Sequence, residues 1–219
     1  MKKYRLLFLD FDGVISNSLQ ICMEEINRLR EKFPTIPEVR TREDMTRVYG
    51  VELRYSLYPF GLNEEETGIF FDRHSGAMNQ RATEVEPFHQ VVRALSCCSL
   101  PKIIITSSYS EAVYAILRKC EEFDENFVQG VYGREHRKTK TEKIRSALAL
   151  YNADVTETLY IGDLASDVLY CRDVPVDIAC VGYGYHPPSY LKKFSPKCIL
   201  ETAEDFAEFL QGLSPKTQP

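Results

Sequence analysis

Short, nearly unbroken apolar runs alternate with segments of helical period along most of this 219-residue chain, and that alternation limits the fold more than any other feature. A run that is apolar on both faces must be covered on both faces, which is the condition of a parallel strand lying between layers of helices. Runs of this kind occupy residues 4–9, 102–106, 127–131, 158–161 and 178–181. Between them, residues 111–121, 141–151 and 165–172 have the period of crossover helices; Val113, Ile116, Leu117 and Cys120, for example, recur at spacings of three and four. The fold class is therefore α/β, with a Rossmann-like, doubly wound parallel sheet.

Two helix starts place the loops. Ser108-x-x-Glu111 and Thr139-x-x-Glu142 both have capping-box spacing, so the residues before them lie at the carboxyl ends of strands, where open α/β sheets bind ligands. From residue 16 to 85 the alternation stops and an inserted α-helical subdomain is expected instead. Its helices are predicted over 18–33, over 41–49 and from a cap at Asn63 towards Arg81, with Pro34, Pro37, Pro59 and Gly61 between them. Residues 86–88 are expected to open a helix running through 95. The core is thus read as 1–15 plus 86–213, followed by a frayed tail at 214–219.

Charge and cysteine usage exclude several functions. With 27 basic against 32 acidic residues the net charge is −5, and no massed Lys/Arg block is present to clamp a phosphate backbone; nucleic acid is not an expected partner. No run approaches the ~20 apolar residues of a membrane span, since Asp10 and Asp12 interrupt the apolar start. The seven cysteines (22, 97, 98, 120, 171, 180 and 198) form no CxxC pair, have an odd count and sit mostly among apolar neighbours. They read as reduced thiols in a cytoplasmic protein.

The first strand ends in Leu9-Asp10-Phe11-Asp12-Gly13-Val14, which delivers two carboxylates where the chain leaves the sheet. A solvated turn is one reading, since Asp and Gly are common in turns. A second acidic element after another buried strand, Gly162-Asp163-Leu164-Ala165-Ser166-Asp167, favours a functional one. If the two strands are neighbours, Asp10, Asp12 and Asp163 converge, and such a cluster of hard oxygens calls for a hard cation such as Mg²⁺. Asp167 fits as a ligand, a brace or a helix N-terminal charge. Thr106, Ser107 and Ser108 end a third strand with hydroxyls suited to phosphate oxygens or to capping. Arg137-Lys138-Thr139-Lys140 precedes a helix and suits an anion site.

Taken in order, Asp-Phe-Asp-Gly-Val, an apolar strand ending in Thr, Lys before a helix and Gly-Asp-x-x-x-Asp resemble the haloacid dehalogenase superfamily over nearly the whole chain. The insertion at 16–85 resembles the type-one helical cap of the phosphoglycolate-phosphatase-like branch, and Val181 to His186 resembles the segment after the last core strand there. The resemblance implies a Mg²⁺-dependent phosphatase acting on a small phosphorylated metabolite. In it Asp10 is the nucleophile that becomes an aspartyl-phosphate, Asp12 the general acid and base, Thr106 a phosphoryl ligand, and Asp163 a metal ligand with Asp167 as the auxiliary acid. The metal set is accordingly Asp10, Asp12, Asp163 and Asp167, with Asp12 contributing its main-chain carbonyl. The family lysine falls on Lys138 in the form of the motif that carries prolines, or on Lys140 in the plainer form, where Ile144 follows four positions later. Phosphate or substrate contacts are expected from Thr106, Ser107, Lys138 and Lys140. Arg47 and Arg54 of the insertion fit either a second substrate anion or a solvated surface. Among the histidines, His186 alone is expected near the rim.

The alternatives are a phosphomutase, which shares every core residue, and a non-catalytic binding protein on the same fold. Asp12 argues against the carbon–halogen and carbon–phosphorus branches, which lack that aspartate. A monomer or weak homodimer is expected.

Overall fold

The computed structural model describes residues 4–124 and 126–213; the tail expected at 214–219 lies outside them. The chain runs through β1 (Leu6–Leu9), β2 (Ser16–Asn17), α1 (Leu19–Leu29), α2 (Arg42–Val48), α3 (Glu64–Gln80), β3 (Glu86–Pro87), α4 (His89–Cys97), β4 (Lys102–Ile105) and α5 (Ser110–Leu117). It continues through β5 (Gly130–Tyr132), α6 (Lys140–Leu150), β6 (Thr158–Gly162), α7 (Ala165–Asp173), β7 (Asp177–Val181), α8 (Pro188–Leu191), β8 (Cys198–Leu200) and α9 (Ala203–Leu213).

Six strands form one parallel sheet in the order β5-β4-β1-β6-β7-β8. Although its strands are apolar throughout, they still alternate faces. Leu7, Leu9, Ile104 and Ile161 pack on one side with residues of α4, α5 and α9, while Phe8, Ile103, Ile105 and Tyr160 pack on the other with residues of α6 and α7. β1 lies in the middle, and the chain first builds outward on its β4 side, then crosses to β6. The carboxyl ends of β1, β4 and β6 therefore open onto the crevice where the winding reverses.

The segment between β2 and β3 has its own apolar cluster, built from residues such as Ile26, Met45, Leu57 and Phe70. That cluster closes on Leu164 and Tyr185 from the loops after β6 and β7. Capping boxes start three helices: Thr41 with Asp44, Asn63 with Glu66 and Thr139 with Glu142.

Several sequence expectations differ from the structure. The strand expected at 127–131 is β5, beginning at Gly130, because the Phe127 N–H turns back to the Asp124 carbonyl at 3.1 Å. Residues 86–88 do not open a helix. Pro87 has no N–H to donate, and Glu86–Pro87 pairs antiparallel with Ser16–Asn17 as a two-stranded ribbon at the base of the insertion, so the helix begins at His89. Ser108 caps nothing: Tyr109 occupies the cap of α5 without a side-chain bond. β8 was not expected, and its three residues are too few to show a period. Among the described residues no helix is long and apolar enough to cross a membrane.

Candidate active site

Asp10 immediately follows β1, and its N–H donates to the Ile161 carbonyl of β6 at 2.8 Å, which joins the two acidic loops at the backbone. The Asp10 side chain is buried, with Oδ1 accepting from the Phe11 N–H at 2.8 Å and Oδ2 against the Lys140 ammonium. Lys140 is the first residue of α6, where the Thr139 capping box sets the helix start, and its Nζ also donates to Asp167 Oδ1 at 2.7 Å. Asp167 Oδ2 in turn accepts from the N–H groups of Leu164 at 3.0 Å and Asp163 at 3.2 Å. Asp167 thus braces both the lysine and the loop after β6.

Carboxylate oxygens of Asp10, Asp163 and Asp167 lie within 4.8 Å of one another, all buried. Burial raises the Asp10 carboxyl to about 7, with Lys140 opposing the shift. Burial also raises Asp163 well above the usual carboxylate range, and the neighbouring Asp10 and Asp167 add to it. Lys140 is pulled down by its own burial, yet Asp10 and Asp167 hold it well above its ordinary value. One ammonium among three carboxylates leaves an excess of negative charge. Asp163 Oδ2 accepts from the Tyr185 N–H at 2.7 Å, but Oδ1 has no hydrogen-bond partner among the described residues although the residue is fully buried. A hard divalent cation fits this donor set, and Asp163 Oδ1 is the carboxylate oxygen of the trio left open to it.

Asp12 is held by hydroxyls. Ser16 donates to its Oδ1 at 3.0 Å and Ser18 at 2.8 Å, while Ser108 donates to Oδ2, the contact that replaces the expected helix cap. The side chain of Asp12 therefore stands apart from the acidic trio. The Ser108 N–H donates to Thr106 Oγ1 at 3.0 Å, which ties the end of β4 to the same group. Gly13 makes the turn possible. Its φ is +74°, and a Cβ there would collide with the Asp163 carboxylate.

A cavity of about 340 Å³ opens onto part of this group. Asp10, Asp12, Thr106, Ser107 and Lys140 line one side, and Tyr49 with one face of α3 lines the other. Arg54 reaches the rim. Arg47 does not line the cavity: it is exposed and ion-paired with Asp44, three residues earlier on the same helix. Lys138 is likewise removed from the site, because it precedes the Thr139 cap and donates outward to Ser146 at 2.9 Å. His186 is buried rather than at the rim, and its Nδ1 accepts from the Ala165 N–H at 3.0 Å.

Several residues at the site were not singled out from the sequence, Lys143, Tyr49, His74 and Tyr185 among them. Lys143 Nζ donates to the Thr106 carbonyl at 2.7 Å, and burial lowers it to about 8, with Lys140 adding to the effect. Its position one turn beyond Lys140 was the available signal. Tyr49, His74 and Tyr185 line the cavity itself. Ser18 and Tyr185 share a hydrogen bond of 2.9 Å, and Tyr49 and His74 one of 3.3 Å. Long-range pairs such as these leave no local pattern.

A family model described as haloacid dehalogenase-like hydrolase matches residues 7–181. Curated relatives include the pyrophosphatase PpaX of Halalkalibacterium halodurans, 23% identical over 208 residues, covering 93% of this chain and 95% of the relative. That of Anoxybacillus flavithermus is 26% identical over 211 residues, with the same coverages of 93% and 95%. Among solved structures, a haloacid dehalogenase-like hydrolase from Streptococcus pneumoniae superposes with a TM-score of 0.73 at 19% identity, covering 96% of this chain and 100% of that one. A hydrolase from Pseudomonas syringae gives 0.75 at 18% identity, with coverages of 97% and 100%.

Proposed function

The chain belongs to the haloacid dehalogenase-like hydrolase family, and from that premise we propose that it is a Mg²⁺-dependent phosphatase hydrolysing a small phosphate monoester. The observation that carries this reading is the Asp10 carboxylate at the cavity floor, oriented by the Phe11 N–H and the Lys140 ammonium, with the Asp163 carboxylate beside it. The curated relatives carry pyrophosphatase names, which support hydrolytic release of phosphate in general.

In this mechanism an Asp10 oxygen attacks phosphorus and forms an aspartyl-phosphate as the ester P–O bond breaks. The leaving oxygen takes its proton from Asp12, whose carboxyl is steered by Ser16, Ser18 and Ser108. A water then attacks the phosphorus of the intermediate and gives a proton to Asp12, releasing phosphate and restoring the Asp10 carboxylate. Thr106 and Ser107 donate hydroxyl hydrogen bonds to the phosphoryl oxygens, and Lys140 balances their charge. Asp10, Asp163 and the Asp12 carbonyl would hold Mg²⁺, which offsets the repulsion between an anionic nucleophile and an anionic phosphate. Asp167 fixes Lys140. The helical segment 16–85 acts as a cap that closes over the core to exclude water.

The test is phosphate release from a panel of phosphorylated metabolites with and without Mg²⁺, alongside Asp10→Asn. Mg²⁺-dependent release that the variant lacks is expected. Equal release by Asp10→Asn, with its circular dichroism unchanged, would remove Asp10 as nucleophile.

A further inference from the structure

The half of the cavity that faces away from the carboxylates has a distinct chemistry. Thr67, Phe71, Ser75 and Met78 follow one another along α3 at spacings of four, four and three and all line the cavity, so they form one stripe. Tyr49 extends the wall, meeting Phe71 edge to face at 5.4 Å and Tyr185 at 5.7 Å. The Thr67 hydroxyl is buried without a hydrogen-bond partner among the described residues.

The cations of this cavity are already matched. Arg54 Nε lies 2.8 Å from Glu64, which itself lines the cavity, and the Arg134 guanidinium is paired with Asp72. Lys140 faces Asp10 and Asp167. Burial keeps His74 neutral by lowering it to about 4, and it holds the Tyr49 and Tyr185 phenols neutral by raising them. Among the described residues that line the cavity, a second phosphate or a carboxylate on the leaving group would meet no cation without a carboxylate partner, and would have to draw Arg54 or Arg134 from an exposed one. A flat apolar group would instead be enclosed by aromatic faces and a thioether.

Building on the phosphatase reading, we propose that the substrate is a phosphate monoester of an alcohol bearing an uncharged aromatic or similarly flat apolar group, seated against Phe71, Met78 and the Tyr49–Tyr185 pair. Pyrophosphate and short carboxylated phosphoesters are then poor substrates.

The experiment compares kcat/KM for phosphate release by the full chain with Mg²⁺ from 2-phenylethyl phosphate, ethyl phosphate, phosphoglycolate and pyrophosphate. The first two leave as alcohols of closely similar acidity, so their ratio reports the ring rather than the bond being broken. 2-Phenylethyl phosphate is expected to be the best of the four, at least about 10-fold above ethyl phosphate. Phe71→Ala and Met78→Ala should each narrow that ratio, a quantity that does not depend on how much of a variant is folded. A ratio of one or less, or a preference for pyrophosphate or phosphoglycolate, overturns this inference and leaves the phosphatase standing. A ratio that neither variant narrows overturns the placement of the ring. If Asp10-dependent release is absent from all four compounds, this inference falls, and the panel of phosphorylated metabolites decides whether the phosphatase reading stands.

Discussion

Lys140 Nζ lies 2.7 Å from Asp167 Oδ1 with both side chains buried, and the same ammonium touches Asp10. A buried ion pair of this kind adds little net stability against an apolar isostere, but breaking it leaves carboxylates in each other's field without compensation. Lys140→Met is therefore expected to lose activity by about 100-fold or more and stability by roughly 3 kcal/mol. Adding Asp167→Asn should return part of the stability and none of the activity. Lys138→Met, which removes only an exposed contact to Ser146, should leave the unfolding free energy within about 0.5 kcal/mol and the turnover unchanged. The two lysine variants together decide which lysine serves the site.

Ser108 and Thr139 both precede helices at capping-box spacing, yet they do different work. Thr139 accepts from the Glu142 N–H at 3.2 Å and caps α6, whereas the Ser108 hydroxyl goes to Asp12. Thr139→Ala should lower stability by about 1 kcal/mol. Ser108→Ala should lower kcat about 10-fold and hardly move the melting temperature. A loss of stability without a loss of kcat in Ser108→Ala would return that residue to the role of a cap.

The contrast shows what a sequence carries and what it does not. Strand ends were legible because burial on both faces writes apolar runs, and the acidic residues at those ends stand out against them: Asp10 after β1 and Asp163 after β6. The choice between Lys140 and Lys138 was half legible, since Ile144 four positions after Lys140 fits the plainer form of the family motif but nothing local showed which lysine faced inward. Ser108 was misread because a hydroxyl can satisfy a helix end or a carboxylate 96 residues away, and only the fold brings Asp12 within its reach. Tyr49, His74 and Tyr185 were missed for the same reason. Phe71 and Met78 lay on a readable helical face, but a face turned to a ligand and a face turned to a core have the same period.

Gly13 has a φ of +74°, and a Cβ there would press on the Asp163 carboxylate and lie 2.9 Å from Tyr185 Cδ1. Gly61 has a similar φ of +83° with nothing within 4 Å. Gly61→Ala should therefore cost only the backbone strain, about 1 kcal/mol. Gly13→Ala adds a collision in the acidic loop and should cost more than about 2 kcal/mol, with turnover lost. Urea unfolding of the two variants side by side separates the strain from the collision.

Burial lowers the His74 imidazole from 6.5 to about 4. Between those values the unfolded chain holds a proton that the folded chain does not, so stability falls as pH falls through this window. The effect reaches about 2 kcal/mol by pH 5. The raised carboxyls of Asp10 and Asp163 act in the opposite direction, but they are common to wild type and variant. The loss in urea midpoint between pH 7 and pH 5 should then be smaller in His74→Gln than in the wild type. An equal loss in both would mean that His74 titrates in the folded protein much as it does in the unfolded chain.

The unpartnered Oδ1 of Asp163 and the crowding of Asp10, Asp163 and Asp167 predict that a divalent cation stabilises the fold apart from any turnover. Binding to the folded state alone adds about 2.7 kcal/mol at a concentration 100-fold above Kd, which corresponds to a rise in Tm of roughly 5 °C or more for a chain of this size. Mg²⁺ should produce that rise and EDTA should reverse it. Asp163→Asn removes one charge from the trio and should abolish the shift, while its Tm without metal should stay level or increase because a carboxylate repelled by Asp10 and Asp167 has gone. A wild-type melting curve that ignores Mg²⁺ would mean that the Lys140 ammonium alone balances the three carboxylates, and the metal would have to be removed from the mechanism.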